Sequence, residues 1–366
     1  MKLLLGVALA FMLTTAQALA GTAYEQINLV SDIPGLAAVT DPNLTNPWGV
    51  SFTATSPFWV SDERTSVATL YSGAGVPGAL VVAIPGPPTG QVANTTSGFT
   101  LTPGNPARVI FAALDGSISG WNPGVSPTNA ILKVLASANN SYTGLALAND
   151  ASGTFLYAAN FKTARIDVYN SSFALTTLAG NFTDPTLPAG FAPFNIESVG
   201  GNLYVAYAKV ALTGDEERGP GFGFVNVFDP NGNFIRRLIS TGPLNAPWGI
   251  TIAPASFGDF SNDLLVGNFG DGRINAFDPA TGGFLGPLSD NSGNPIEIDG
   301  LRALKVRTGG PSVDPNRVYF TAGINDEVDG LFGAVAVTPE PGTLGLLTVG
   351  VLAVSVSAIR RRRARR

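Results

Sequence analysis

The absence of histidine and cysteine restricts the chemistry available to this 366-residue chain. Without these residues, Ser-His-Asp and Cys-His nucleophilic sites cannot form, and neither can zinc, copper or haem sites that depend on His or Cys. The remaining options are acid–base chemistry by carboxylates, Lys or Tyr, and the binding of hard cations by oxygen ligands. Asp and Asn side chains are therefore the first candidates for a functional site.

Asp, Asn and Trp recur at equivalent places of a repeated pattern that is described below. Because the first strand of each repeat runs along a channel and the second returns, strand starts and strand ends are expected to share one face. The candidate ligand-binding residues on this rim are Asp62, Asp115, Asn160, Asn195, Asn268, Asp299, Trp48 and Trp248. Carboxylate, amide and carbonyl oxygens are ligands of Ca²⁺, so Ca²⁺ is the cofactor that this rim would suit.

The same residues have a second interpretation that involves no ligand. Asp and Asn are common in tight turns because their side chains bond to the backbone two residues on. Trp48 and Trp248 suit packing between neighbouring repeats as well as stacking on a ligand. The composition alone leaves both interpretations open, and we predict turns and packing first.

Residues 245–286 contain the clearest repeat unit. Four short apolar segments, separated by Gly, Pro, Asn or Asp, predict strands at residues 248–253, 263–268, 272–277 and 283–287. Asp271-Gly272 is a hairpin signal, and Asp278-Pro279 is a second turn signal. The unit is therefore predicted to be one four-stranded antiparallel sheet.

The unit recurs along the chain. Asn46-Pro47-Trp48-Gly49 resembles Ala246-Pro247-Trp248-Gly249, and first strands are placed near Gly49, Gly98, Gly144, Asn195, Gly249 and Gly300, with a spacing of 46 to 54 residues. This period is typical of propeller blades. We therefore predict an all-β fold, a single six-bladed β-propeller at residues 21–337.

The sixth unit provides only three strands, at residues 301–306, 317–322 and 331–337. Residues 24–30 alternate like a strand and are predicted to supply the missing outer strand, which closes the ring and protects its edge. Residues 84–96 and 181–194 are predicted to be connectors between blades. Residues 209–223 are predicted to be a charged insertion in blade four, either mobile or functional.

The two ends of the chain indicate export. Residues 1–20 have the basic start, apolar run and small cleavage-site residues of a signal peptide. In the tail, residues 338–366, Pro339, Glu340 and Pro341 precede an uncharged span at 342–359 and an arginine cluster at 360–366. The predicted transmembrane span would leave the arginines in the cytoplasm and the propeller on the other side of the inner membrane.

The tail resembles the PEP-CTERM sorting signal, and the body resembles an uncharacterised family of exported β-propellers with NHL-like blades. Segments that carry the second resemblance include residues 41–50, 191–196 and 264–279. The first resemblance implies an exosortase-type sorting enzyme as a partner, and delivery to the cell surface or extracellular matrix. The family has an aromatic residue near Arg302 and a histidine near Asp329, and this chain has neither, so no role of that histidine transfers.

The propeller without its predicted signal peptide and tail is acidic, with 14 basic and 25 acidic residues and a net charge of about −11. Nucleic acid and anionic lipid are therefore disfavoured as partners. We predict a non-catalytic binding or structural component of the cell envelope or the exopolysaccharide matrix. The alternative is a Ca²⁺-dependent propeller hydrolase, similar to a lactonase or a phosphoesterase, that uses the rim carboxylates.

Overall fold

The computed structural model describes residues 21–338, and these residues form a six-bladed β-propeller. Each blade contains at least four antiparallel strands, and the blades surround a central channel; in blade six the short strand β2 is added parallel to β1. The innermost strands of neighbouring blades contact one another, and the first contacts the last, so the ring is closed. The predicted fold class is confirmed.

The described residues contain 28 strands. In chain order they are β1 (Tyr24–Ser31), β2 (Val39–Thr40), β3 (Pro47–Ser51), β4 (Phe58–Asp62), β5 (Val67–Tyr71), β6 (Val82–Ala83), β7 (Pro88–Ala93), β8 (Thr100–Thr102), β9 (Asn105–Pro106), β10 (Val109–Ala113), β11 (Ile118–Trp121), β12 (Ile131–Val134), β13 (Tyr142–Asp150), β14 (Gly153–Asn160), β15 (Arg165–Tyr169), β16 (Leu175–Thr176), β17 (Phe191–Val199), β18 (Asn202–Val210), β19 (Glu216–Glu217), β20 (Gly223–Phe228), β21 (Phe234–Ser240), β22 (Pro247–Ile252), β23 (Leu264–Asn268), β24 (Ile274–Phe277), β25 (Phe284–Pro287), β26 (Leu301–Lys305), β27 (Val318–Ala322) and β28 (Leu331–Val337).

The blades follow the chain. From the channel outward, blade one contains β3 to β6, blade three β13 to β16, and blade five β22 to β25. Blade two contains β7, β10, β11 and β12, with the small β8–β9 hairpin between its first and second strands. Blade four contains β17, β18, β20 and β21, and β19 pairs with the far end of β18. A 3₁₀ turn, Gly258–Phe260, lies between β22 and β23.

Blade six is built from both ends of the described chain. Strands β26, β27 and β28 are followed by β1, which pairs antiparallel with β28 from Tyr24 opposite Val337 to Ser31 opposite Leu331. Tyr24 is buried against Phe257, and its hydroxyl donates to the Phe257 carbonyl at 3.0 Å. The prediction that the N-terminal strand closes the ring is confirmed.

The predicted organisation of blade two is wrong. Residues 84–96, predicted to be a connector, contain β7, the innermost strand of the blade. The residue equivalent to Gly49 is Gly90 rather than Gly98, which precedes the β8–β9 hairpin. The connector at 181–194 is also shorter than predicted, because β17 begins at Phe191.

Apolar side chains fill the spaces between neighbouring blades. Contacts of this kind join Trp59 to Trp121 between blades one and two, and Phe58 to Tyr319 between blades one and six. Near the channel the inner strands approach so closely that a Cβ at Gly49 would lie 2.5 Å from the Thr89 carbonyl oxygen. Small residues at this level therefore permit the ring to close tightly.

Four predicted features lie outside the described residues, namely the signal peptide at 1–20, the sorting motif at 339–341, the transmembrane span at 342–359 and the arginine cluster at 360–366. Within residues 21–338, no helix has the length and apolar character needed to cross a membrane.

Candidate functional site

The start of each first strand lies beside the end of each second strand, as predicted for the rim. Pro47 is the Cα partner of Asp62 in blade one, Tyr142 of Asn160 in blade three, and Pro247 of Asn268 in blade five. One end of the channel therefore collects the predicted Asp and Asn residues from different blades.

The three carboxylates of the rim are each engaged locally. Asp115 accepts a hydrogen bond from the Ser117 N–H at 2.9 Å, and exposed Asp299 accepts one from the Asn325 N–H at 2.8 Å. Asp62 is fully buried, and its Oδ2 accepts from the Thr69 hydroxyl at 2.8 Å. Burial raises the pKa of the Asp62 carboxyl well above its ordinary value, because the ionised form loses its hydration.

The three amides of the rim are buried and bonded to the protein. The Asn160 Nδ2 donates to Asp167 Oδ2 at 2.7 Å, within blade three. The Asn195 Nδ2 donates to the Trp248 carbonyl at 2.8 Å, which connects blade four to blade five. The Asn268 Nδ2 donates to the Pro243 carbonyl at 2.8 Å. These amides hold turns and blades together.

Residues 21–338 contain no group of three or more His, Cys, Asp or Glu side chains placed to hold a metal ion. Asp62, Asn160 and Asn268 thus lie at the ends of their strands, whereas Asn195 lies inside β17. The hydrogen bonds that these side chains make are to other protein groups. Ligand binding by these residues stays a prediction.

Trp48 and Trp248 lie inside the channel at this same end. Both indoles are nearly fully buried, and their ring centroids are 6.2 Å apart in an edge-on arrangement. The Trp248 Nε1 donates to the Thr143 carbonyl of blade three at 3.0 Å, and Phe194 of blade four packs edge-on against Trp48. We call Trp48, Phe194 and Trp248 the aromatic plug, because they fill the channel from three blades.

Arg302 of β26 lies beside the aromatic plug and has no exposed surface. Its Cζ is 3.7 Å from the ring centroid of Trp48 and 3.7 Å from that of Phe269. Both rings therefore pack directly against the guanidinium. Cation–π attraction of this kind stabilises a desolvated arginine.

The ionic partner of Arg302 is Glu327, whose Oε1 lies 3.2 Å from the Arg302 Nη2. Glu327 belongs to a turn in which Asn325, Asp326 and Glu327 have φ values of 55°, 53° and 63°. Three consecutive non-glycine residues in the left-handed region are unfavourable, because each Cβ approaches the following carbonyl. The surrounding structure therefore imposes a conformation that directs Glu327 to Arg302.

The blade-four insertion completes this group of charges. The Arg218 guanidinium lies 4.3 Å from the Phe269 ring centroid, and its Nη2 is 3.7 Å from the Glu327 Oε1. Burial raises the pKa of the Glu216 carboxyl, against the opposing effect of Arg302. Burial lowers the pKa of Arg302, and the charge of Glu327 opposes that shift. We call Trp48, Arg218, Phe269, Arg302 and Glu327 the arginine centre.

The opposite end of the channel is open and forms a cavity of about 520 Å³, which we call the bowl. All six inner strands contribute to its lining, through residues 50–52, 91–93, 145–147, 197–200, 250–252 and 305–306. The volume lies within the range of small-molecule sites in proteins.

The wall of the bowl is mostly aliphatic, with polar groups from Ser51, Gln91, Ser198 and Thr251. Its only two ionisable residues are Glu197 and Lys305, among the lining residues described. Their side chains pair across the mouth, with the Lys305 Nζ 2.6 Å from the Glu197 Oε2, and are 18% and 25% exposed for Lys305 and Glu197 respectively. The bowl is therefore a mixed polar and apolar site without net charge.

Sequence reasoning missed the bowl and the arginine centre. One signal for the second was present in the repeat, where Arg302-Ala303 stands in the place of Trp48-Gly49 and Trp248-Gly249. The predicted start of blade six is Gly300, although Ala303 is the position equivalent to Gly49 and Gly249. The arginine at the position of Trp48 and Trp248 was therefore overlooked. Glu327 and Arg218 come from an irregular turn and an insertion, for which the repeat carries no signal.

Comparison with known proteins confirms the sorting signal. Residues 337–363 match the family model described as the PEP-CTERM protein-sorting motif. The motif implies processing by an exosortase-type system and export to the cell surface. The chain is thus a six-bladed β-propeller that carries an export and sorting signal.

The chain belongs to the family of the uncharacterized protein R648 of Acanthamoeba polyphaga mimivirus. The two are 35% identical over 330 residues, which cover 84% of this chain and 78% of the viral protein. The uncharacterized protein L690 of the same virus is 34% identical over 327 residues and covers 84% of each chain. Neither name assigns an activity.

The solved structures that match confirm the propeller fold alone. A protein of unknown function from Bacteroides thetaiotaomicron superposes with a TM-score of 0.56 at 11% identity, over 86% of this chain and 76% of that one. The soluble aldose sugar dehydrogenase of Escherichia coli gives a TM-score of 0.52 at 11% identity, over 86% of this chain and 100% of that one. Propellers of this shape include enzymes, so the fold does not distinguish a catalytic from a structural role.

Proposed function

We propose that this protein is a non-catalytic binding module, exported to the cell surface, whose bowl takes up a small neutral polar ligand. A segment of the surrounding exopolysaccharide is the ligand class that suits both the site and its location. The observation that carries the proposal is the bowl itself, a cavity of about 520 Å³ lined by all six blades.

The lining suits a neutral, hydroxyl-rich ligand. The hydroxyl groups of Ser198 and Thr251 lie among aliphatic walls, so both the polar edges and the apolar faces of a sugar find partners. Ser51 and Gln91 are bonded to each other and to the Gly49 and Trp59 carbonyls, and they fix the shape of the wall. Glu197 and Lys305 are already paired, which leaves no uncompensated charge to attract an ion.

The bowl offers little for covalent chemistry. The chain contains no His and no Cys, and the described lining contains one carboxylate, which is engaged with Lys305. General acid–base catalysis by carboxylates commonly requires a pair with different proton affinities. Binding is therefore the activity that this arrangement supports best.

The sorting signal supports the location in this proposal. We infer that the chain passes through the inner membrane, is held there by residues 342–359, and is cleaved near Pro339, Glu340 and Pro341. Replacing these three residues by alanine should leave full-length protein in the inner membrane. Equal amounts of full-length wild type and variant in that membrane, on fractionation and immunoblotting, would show that the tail is a plain anchor.

Titration calorimetry with the neutral oligosaccharide fraction of the producing cells' exopolysaccharide tests the binding proposal. The full-length protein should bind this fraction, and Thr251→Trp should weaken binding at least tenfold, because the indole would occupy the bowl. Thr213→Trp is the matched control, since Thr213 is exposed in the blade-four insertion. Equal binding by wild type and Thr251→Trp, or none by wild type, would contradict the proposal.

A further inference from the structure

The arginine centre contains a buried cation with unused hydrogen-bonding capacity. The Nε and Nη1 atoms of Arg302 have no hydrogen-bond partner among the residues that the structure describes. Its Nη2 lies 3.2 Å from Glu327, but without the geometry of a directed hydrogen bond. A guanidinium normally binds a carboxylate through two parallel N–H bonds, so Glu327 satisfies Arg302 by charge alone.

The surroundings of Arg302 restrict what can approach it. Trp48 and Phe269 pack against the guanidinium. A further partner must bind the unbonded N–H groups, which point outward along the edge of the guanidinium plane. A planar anion meets this requirement, because its oxygens lie in the same plane as the N–H groups.

Glu327 is the group that covers this edge, and it is held under conformational strain. Its side chain is 28% exposed, whereas that of Arg302 has no exposed surface. Its turn has three consecutive left-handed residues, which is an unfavourable backbone conformation for residues other than glycine. Strained turns of this kind are characteristic of segments that exchange between two positions.

The local charge favours replacement of Glu327 by another carboxylate. Arg218 lies close enough to Arg302 for its charge to lower the pKa of Arg302, and both arginines share the Glu327 carboxylate. Without the Glu327 side chain, Arg302 and Arg218 would be left with Glu216 as the neighbouring carboxylate, and burial raises the pKa of the Glu216 carboxyl. One external carboxylate would restore the balance.

We propose that the arginine centre binds the carboxylate of a small external ligand, and that Glu327 is the internal carboxylate which this ligand displaces. The site lies at the plugged end of the channel and takes a charged ligand, so it is distinct from the bowl and independent of the function proposed for it.

Chemical rescue tests this proposal. In Glu327→Ala the competing carboxylate and its volume are both removed, so the melting temperature of the full-length protein should fall. Sodium acetate should then raise the melting temperature in a dose-dependent manner, beyond the effect of sodium chloride at equal ionic strength. Trp48 lies against Arg302, so acetate should also change the tryptophan fluorescence. The wild type should need at least tenfold more acetate for the same response.

Glu217→Ala is the matched control, because Glu217 lies beside Arg218 in the blade-four insertion and pairs with Lys209 at 2.9 Å instead of with Arg302. This variant should respond to acetate no more than the wild type does. If Glu327→Ala does not fold, Glu327→Asp replaces it in the experiment. Its side chain is one methylene shorter, so acetate should raise its melting temperature by an amount between those for the wild type and for full removal of the carboxylate. Responses to acetate that equal those to chloride, or that are the same in Glu217→Ala, would overturn the proposal.

Discussion

The two ends of the central channel are lined by the same six strands but differ in packing and charge. At the strand starts, the aromatic plug and Arg302 fill the channel and exclude water. At the strand ends, the channel widens into the bowl, where Glu197 and Lys305 pair near the solvent. A symmetric repeat therefore produces one closed end and one open end.

This difference arises from a few side chains at equivalent positions. Large residues follow the strand start in blades one, four and five, whereas Thr89 and Thr143 stand there in blades two and three. A propeller can thus close one mouth of its channel by enlarging some of these residues, without altering the backbone of the blades. Stability should depend mainly on the plugged end, and binding of the neutral ligand on the open end.

The largest expected effect comes from the aromatic plug. Trp248→Ala should lower the free energy of unfolding by about 3–5 kcal/mol, because it leaves a cavity among buried side chains and removes the bond to the Thr143 carbonyl. Thr251→Ala, three residues further along β22 in the wall of the bowl, should change it by about 0.5 kcal/mol or less. Urea unfolding of the three proteins measures both values. Equal losses would show that the two ends contribute alike.

A smaller effect is expected from the ion pairs at the two ends. Glu327→Gln should lower the free energy of unfolding by about 3 kcal/mol, because it leaves the buried Arg302 without its main counter-charge. Lys305→Met should cost between about 0 and 1 kcal/mol, because the Glu197–Lys305 pair lies close to solvent. Urea unfolding at two salt concentrations checks this contrast, since salt should reduce only the second effect. A larger loss in Lys305→Met would contradict it.

The smallest expected effect is on the pH dependence of the melting temperature. It concerns Asp62 at the plugged end of the propeller and Asp278 at the bowl end. Burial raises the pKa of Asp62, so the folded state retains the proton longer than the unfolded state. The associated stability is complete below the unfolded pKa of about 3.9 and is lost as the pH rises through the folded pKa. The melting temperature of Asp62→Asn should therefore exceed that of the wild type by a margin that grows as the pH rises from 4 to 8.

Asp278, at the bowl end, should have the opposite dependence of stability on pH. Hydrogen bonds from the Thr281 backbone and side chain lower its pKa, so its contribution is present above the unfolded pKa and is lost as the pH falls. The melting temperature of Asp278→Asn should be lower than that of the wild type at neutral pH. The two melting temperatures should converge near pH 3. Melting curves across pH 3–8 for both variants test the pair, and parallel curves for Asp62→Asn and Asp278→Asn would refute the contrast.

The sequence predicts the fold where local signals agree. In blade five, strand-length apolar runs, Asp271-Gly272 and Asp278-Pro279 place all four strands to within two residues. The prediction of ring closure also succeeds, because three strands in the last unit and one orphan strand at the start permit a single arrangement. In blade two the signals conflict, since Pro85, Pro87 and Pro88 around β7 suggest a connector.

The sequence predicts where several rim residues lie along their strands, but it does not predict which groups their side chains bond to. Sequence spacing places Asp62, Asn160 and Asn268 at strand ends, and the structure agrees. The direction of a side chain depends on which hydrogen-bond partner lies nearest, and partners such as Thr69 and Pro243 emerge only when the blade is folded. The bowl is similarly absent from any local pattern, because it belongs to six strands that are distant in sequence.

Hydrogen exchange with the neutral oligosaccharide fraction is the most direct test that the open end binds the neutral ligand. On addition of this fraction to the full-length protein, amides of residues 51–52, 198–200 and 251–252 should exchange more slowly, because they line the bowl. Amides of residues 325–327 at the plugged end should be unchanged. Protection confined to the plugged end, with none in the bowl, would contradict the account.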